Sequence, residues 1–425
     1  MKNFNLLSSE ELKHIKNQLQ KKYNEYLSQK LDLNMSRGKP CKQQLDLSID
    51  ILNNKEYISK DNIDLRNYGI LDGIDEAKEL FSDILGIDKN NIIIGGNSTL
   101  NMIYDVVTRL YIFGYNGFIP WGKLEKVKIL CPVPGYDRHF DLLEHFGFDM
   151  INIPVTKDGV DMDMVEELCS KDDAIKGIIC VPLYSNPTGV CYSDETIERL
   201  AKLKTKAKDF KIFWDNAYAI HHIYKKINIA NIFDLCKKYN NEDRILYFFS
   251  TSKITFAGGG VSLLAGSDNT IKDTLKHLSN QTIGYDKMNQ IRTVNFLKDR
   301  ENTLKLMDKH ADILRPKFDI VLDTLENHFK DNPILQWEKP KGGYFVCVYT
   351  LNNLAKKVVS MCKQIGVILT DAGSTYPKNF DKYDRNIRIA PSFPTLDELK
   401  KAIEIFCICV EIASIDKILE GRNIL

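Results

Sequence analysis

Gly177-Ile178-Ile179-Cys180-Val181-Pro182-Leu183-Tyr184-Ser185-Asn186-Pro187-Thr188-Gly189 passes from an apolar run into a polar turn whose proline excludes a helix interior. The same arrangement recurs. Lys211-Ile212-Phe213-Trp214 leads into Asp215-Asn216-Ala217-Tyr218, and the run 245–249 leads into Ser250-Thr251-Ser252-Lys253. Upstream, 92–94 ends at Gly95-Gly96-Asn97-Ser98-Thr99, and 127–130 is soon followed by Pro134-Gly135-Tyr136. Runs at 150–155 and 261–265 complete the series, with helical or loop stretches between them. Short strands alternating with helices predict an α/β domain with a mostly parallel sheet. Each polar group then lies at the C-terminal edge of a strand, where open parallel sheets bind ligands.

Outside this region the pattern changes. Residues 8–29 begin with Ser8-Ser9-Glu10-Glu11, a capping signal, and continue as a charged amphipathic helix. Arg37-Gly38-Lys39-Pro40 must turn, and 76–85 reads as a helix. Past residue 289 a long helical tract, 290–329, is expected to kink at Pro316. Strands near 343–349, 367–370 and 386–390, a helix over 355–365 and a last helix from Leu396 follow. The expected division is an N-terminal helix and arm (1–45) joining the small domain, a large α/β domain (46–290) and a small α+β domain (291–425).

Composition excludes several functions. Of 425 residues, 44% are hydrophobic and 27% charged, which is ordinary for a globular chain. Lys+Arg number 58 against 57 Asp+Glu, so no whole-chain field draws nucleic acid or an anionic membrane, and neither is an expected partner. The ten cysteines include no CxxC, and Cys131, Cys180, Cys347, Cys362, Cys407 and Cys409 sit among apolar neighbours as small buried hydrophobes. Without HExxH, and with scattered histidines, no metal site is expected. Residues 1–30 are polar and lysine-rich, unlike a signal peptide, and no run reaches about 18 apolar residues. A soluble, reduced, cytoplasmic protein is the expectation. Residues 117–123 fit GxxxxGK, but Leu124 stands where a P-loop needs Ser or Thr, and Pro120 and Trp121 fill the loop.

Two readings of Gly95-Gly96-Asn97-Ser98-Thr99 compete: an anion site on free N–H groups at a helix start, or an ordinary Ser/Thr N-cap. Asp215 and Lys253 narrow the chemistry. A carboxylate able to face a pyridine nitrogen and a lysine able to form a Schiff base are the two groups a pyridoxal 5'-phosphate (PLP) enzyme needs.

Asn186-Pro187-Thr188-Gly189, Asp215-x-x-Tyr218 and Ser250-x-Ser252-Lys253, in that order, resemble fold-type I PLP-dependent aminotransferases. The wording is similar to aspartate aminotransferases of the MocR-like subgroup at Ser36-Arg37-Gly38-Lys39-Pro40, Arg66-Asn67-Tyr68-Gly69, Pro132-Val133-Pro134-Gly135-Tyr136-Asp137-Arg138-His139, 250–258 and Asn386-Ile387-Arg388-Ile389-Ala390-Pro391-Ser392. The resemblance implies a mostly parallel, seven-stranded-type sheet in the large domain, PLP as cofactor, amino-acid and 2-oxo acid substrates and a homodimer. It implies a catalytic Lys253 bound to the cofactor aldehyde, with Asp215 on the ring nitrogen and Asn186 and Tyr218 on the phenolic oxygen. Tyr136 would stack on the ring. Ser98, Thr99 and Ser250 would hold the phosphate, with Tyr68 reaching it from the neighbouring subunit. Arg388 would grip the α-carboxylate, and Gly38 would leave room for substrate.

One departure stands out. Many relatives carry an arginine eight residues after the lysine for the phosphate, and that position here is Val261; Gly258-Gly259-Gly260 offers N–H groups instead, and Lys287 a charge. For a second substrate carboxylate, Arg138 is the first candidate, with Arg37 and Arg292 as others. The resulting expectation is an aspartate:2-oxoglutarate transaminase working in two half-reactions. Alternatives are another transaminase (alanine or aromatic), a β-lyase on the same fold, or a regulator carrying an aminotransferase-like domain.

Overall fold

The computed structural model describes residues 3–422, so the outermost residues of the first and last expected domains lie outside the described residues. After a short β1 (Leu33–Asn34), the chain builds a large sheet. Its strands are β2 (Ile92–Ile94), β3 (Lys128–Val133), β4 (Asp149–Thr156), β5 (Gly159–Val160), β6 (Ile175–Cys180), β7 (Lys211–Asp215), β8 (Ile245–Ser250) and β9 (Ser262–Ala265). The order is β2-β9-β8-β7-β6-β3-β4-β5. The central strands β4, β3, β6, β7 and β8 are parallel, while β9 runs antiparallel to β8 and β2. The eighth strand beyond the expected seven is β5, a two-residue edge turned antiparallel to β4.

β7 and β8 are buried along their whole length, as strands covered on both faces must be. The period of two sorts their side chains. Ile212, Trp214, Tyr247 and Phe249 pack with Leu80 and Phe81 of the helix Asp75–Leu85. Phe213 and Phe248 pack on the other face with Ile103 and Val107 of the helix Thr99–Phe113. The polar turns stand at the C-terminal strand edge, after β7 and β8 end on Asp215 and Ser250.

A second sheet, β10 (Leu335–Trp337), β11 (Val346–Thr350) and β13 (Asn386–Ile389), is antiparallel. β12 (Val367–Ile368) pairs in parallel with β1, which ties the N-terminal arm to this region. The helix Ser9–Leu27 opens with the Ser8–Glu11 capping box and joins the same apolar cluster as the helix Leu396–Arg422. The tract expected as one helix with a kink at Pro316 is two helices, Lys287–Leu297 and Arg300–Phe329. The break falls at Lys298 (φ 66°), and Asp299 caps the new start by accepting from the Asn302 N–H. The second helix continues through Pro316, held by buried Leu314 and Phe318 on either side. Among the described residues no helix is long and apolar enough to cross a membrane, and all ten cysteines are free.

Candidate active site

β7 ends on Asp215, whose side chain is 4% exposed. Its Oδ2 lies 2.9 Å from His139 Nε2 and accepts from Thr99 Oγ1 at 3.4 Å. Its Oδ1 is buried with no partner. A buried carboxylate oxygen left without a donor is costly unless a ligand supplies one. His139 belongs to the helix Asp137–His145, entered through Tyr136, and the Tyr136 and His139 rings meet edge to face at 4.9 Å. His139 was not among the sequence candidates; its place three residues after Tyr136, in the first turn of a helix, was the available signal.

β8 ends on Ser250, and Lys253 follows. Lys253 Nζ stands 4.8 Å from the centre of the Tyr218 ring. The crowding of protein around it pulls its ammonium below the ordinary lysine range, against the Asp215 charge, which favours the protonated form. The buried Tyr218 hydroxyl is held well above its ordinary value by desolvation, so it stays protonated and able to donate. Arg388, from β13, comes within 3.2 Å of Asn186 Oδ1 through Nη1. Asn186 therefore keeps its amide N–H groups for another acceptor.

The phosphate end is built at the start of the helix Thr99–Phe113. Ser98 occupies the N-cap position without making the side-chain cap bond. Its hydroxyl instead donates to Asn101 Oδ1 at 2.7 Å, and the Thr99 hydroxyl turns to Asp215, so the first helical N–H groups keep no side-chain cap. Ser250 Oγ donates to Ser252 Oγ at 3.1 Å, and Ser252 Oγ donates to the Asn97 carbonyl at 2.5 Å. Gly260 closes the cradle: a Cβ there would lie 2.8 Å from the Asn97 carbonyl and 2.9 Å from Ser252 Cα. Val261 faces away, buried with Ile254 and Leu263. Lys287 is buried as well and donates from Nζ to the Gly69 carbonyl at 2.9 Å.

The remaining candidates lie farther out. Tyr68 is 84% exposed. Gly38 packs on Phe345, whose Cζ would be 2.6 Å from an added Cβ, and Phe345 in turn lies under the Arg388 guanidinium at 4.8 Å. Ser36 accepts through its carbonyl from Thr370 Oγ1, and that oxygen accepts from Arg388 Nη2. Arg37 is thus an exposed cation between two residues that frame Arg388. Arg138 is exposed and 3.5 Å from Asp141, on a cleft of 380 Å³ with Leu100, Tyr104 and His145. Arg292 is half-buried, with its Nε unpartnered.

These residues fit PLP. The unpartnered Asp215 Oδ1 suits a pyridine N–H, Lys253 suits the aldehyde, and the uncapped helix start with the Gly260 cradle suits a phosphate. The profile of the family described as aspartate amino-transferase matches residues 7–422. A putative aminotransferase of Mycolicibacterium smegmatis is 41% identical over 410 residues, covering 95% of this chain and 96% of its own. An aspartate aminotransferase of Corynebacterium glutamicum is 40% identical over 93% of both chains. The crystal structure of an aspartate transaminase from Corynebacterium glutamicum superposes with a TM-score of 0.95 at 38% identity, covering 98% of this chain and 99% of that one. With the sheet order, the buried acid and the strand-end lysine in place, the chain belongs to the aspartate aminotransferase family and is an aminotransferase of fold type I.

Proposed function

We propose that this enzyme transfers the amino group of L-aspartate to 2-oxoglutarate with PLP as cofactor, in a ping-pong cycle. The observation that carries the reading is the buried, unpartnered Asp215 Oδ1 on the strand beside the one that delivers Lys253. The substrate preference rests on the Corynebacterium glutamicum relative. Bound here, PLP supplies an electron sink for the charge that develops at the substrate α-carbon. Asp215 Oδ1 holds the ring nitrogen protonated, while His139 and Thr99 keep Oδ2 in place. Asn186 and Tyr218 would donate to the phenolic oxygen, and Tyr136 would support the ring. Ser98, Thr99 and Ser250 hold the phosphate, with Tyr68 of a second subunit.

Lys253 would hold the cofactor aldehyde. Its lowered proton affinity would suit Nζ to take and return the α-proton. Arg388 holds the α-carboxylate, and Gly38 borders the substrate space. For the second carboxylate, Arg37 has the better support. It flanks the Arg388 cradle and makes no side-chain bond or ion pair among the described residues, whereas Arg138 pairs with Asp141.

The same reading makes the enzyme a cytoplasmic homodimer of the MocR-like subgroup, divided into 1–45, 46–290 and 291–425. Exposed Tyr68 and Ile283 support a dimer, since Gly284 lies against the Gly69 carbonyl and sets the two segments side by side. The test is a panel of amino acids scored for bleaching of the bound cofactor, then of oxo acids for its return. Aspartate and 2-oxoglutarate should lead, and Arg37→Ala should raise KM for aspartate while sparing alanine. Equal handling of alanine and aspartate by the native enzyme would overturn the substrate assignment.

A further inference from the structure

The first residue of the helix Asp137–His145 has no part in the cycle above, yet it faces the substrate site. Asp137 Oδ1 lies 3.2 Å from Arg388 Nη1, forming an ion pair whose side chains are 26% and 5% exposed. The guanidinium is held on several sides. Nη1 also donates to Asn186 Oδ1 at 3.2 Å, Nη2 donates to Thr370 Oγ1 at 3.2 Å, and the Phe345 ring supports its face. The Nε–H is buried without a partner, and Nη2 has a second N–H.

A guanidinium offers a carboxylate two parallel N–H groups along one edge. With Nη1 occupied by Asp137 and Asn186, the edge left over is the one formed by Nε and Nη2. We propose that Asp137 is a positioning residue: it anchors Nη1 so that this Nε–Nη2 edge is already turned to receive the substrate α-carboxylate. Its charge also compensates a buried guanidinium between turnovers, when no substrate carboxylate is there to do so. The sequence offers the means. Tyr136, Asp137 and His139 occupy the entry and first turn of one helix, so a single rigid element sets the ring face, the carboxylate clamp and the Asp215 partner together.

The inference rests on Arg388 being the α-carboxylate grip, and it applies to whichever amino acid the enzyme prefers. Holoenzyme, Asp137→Ala and Asp137→Asn are compared in steady-state kinetics with the best amino-acid substrate, and in calorimetric binding of succinate, an unreactive dicarboxylate. Asp137→Ala should raise both KM and the succinate dissociation constant about tenfold, the worth of one charge-assisted hydrogen bond, with kcat within about twofold. Asp137→Asn keeps the acceptor and should recover most of the loss. Propylamine, which has no carboxylate, should bleach the cofactor equally in all three proteins. Unchanged or tighter succinate binding by Asp137→Ala would overturn the proposal, because the carboxylate would then be a mere competitor for Arg388. An equal loss with propylamine would overturn it too, by showing general damage. Failure of every amino acid to bleach the native holoenzyme would instead refute the proposed function, while succinate binding still decides the role of Asp137.

Discussion

Replacing His139 with leucine removes the strongest hold on Asp215 while roughly preserving side-chain volume. The remaining partner of Oδ2 is Thr99 Oγ1 at 3.4 Å, too long to replace a bond of 2.9 Å. The His139 and Asp215 side chains are 3% and 4% exposed, so water cannot take over. A hydrogen bond to a charged group contributes about 1.5–3 kcal/mol, which converts to a loss of about 10- to 150-fold in cofactor affinity. Absorbance titration of the apo-variant with PLP measures this loss, with the melting temperature as a check on folding. Affinity within about twofold of native would refute the claim that His139 secures the acid.

Three further perturbations follow from the same structure. His328 lies 3.0 Å from both Glu404 and Glu411, and these carboxylates raise its pKa to about 9 against burial. Its charge therefore stabilises the fold fully below about pH 6.5, and that contribution is lost as pH rises through about 9. The full shift corresponds to ~3 kcal/mol, reduced by solvent at the Glu404 side to ~1–2. The melting temperature should thus fall more steeply from neutral to alkaline pH in the native enzyme than in His328→Gln; parallel curves would exclude the linkage. Gly260→Ala pushes a methyl group against the backbone of Asn97 and Ser252, and should cost ~1–3 kcal/mol of stability together with cofactor affinity. A variant that melts and binds PLP like the native protein would show that the cradle gives way freely. Val261→Arg places a charge into the cluster of Ile254 and Leu263 and should destabilise the fold by more than ~3 kcal/mol without improving PLP binding. A stable variant with tighter PLP binding would show that this position faces the phosphate after all.

Much of the site was legible because each polar turn follows an apolar run. Asn186, Asp215, Ser250 and Lys253 are placed by chain continuity alone: a strand ends, and the next residues stand at its C-terminal edge. The capping box at Ser8 and the helix starting at Leu396 were equally local signals. The helix break at Lys298 was not, since apolar spacing reads through it.

By itself the sequence determined the strand–helix alternation, the order of the chemical groups and the family wording, all of which depend on neighbours along the chain. Which atoms meet was decided only by tertiary packing. His139 reaches Asp215 across 76 residues, and Arg388 reaches Asp137 across 251. Val261 turns inward because β9 joins the sheet immediately after it. Such pairings depend on how two faces of one sheet and a second antiparallel sheet close around a cleft. Periodicity can say that a residue lies on an edge, but only the closed fold says what stands opposite it.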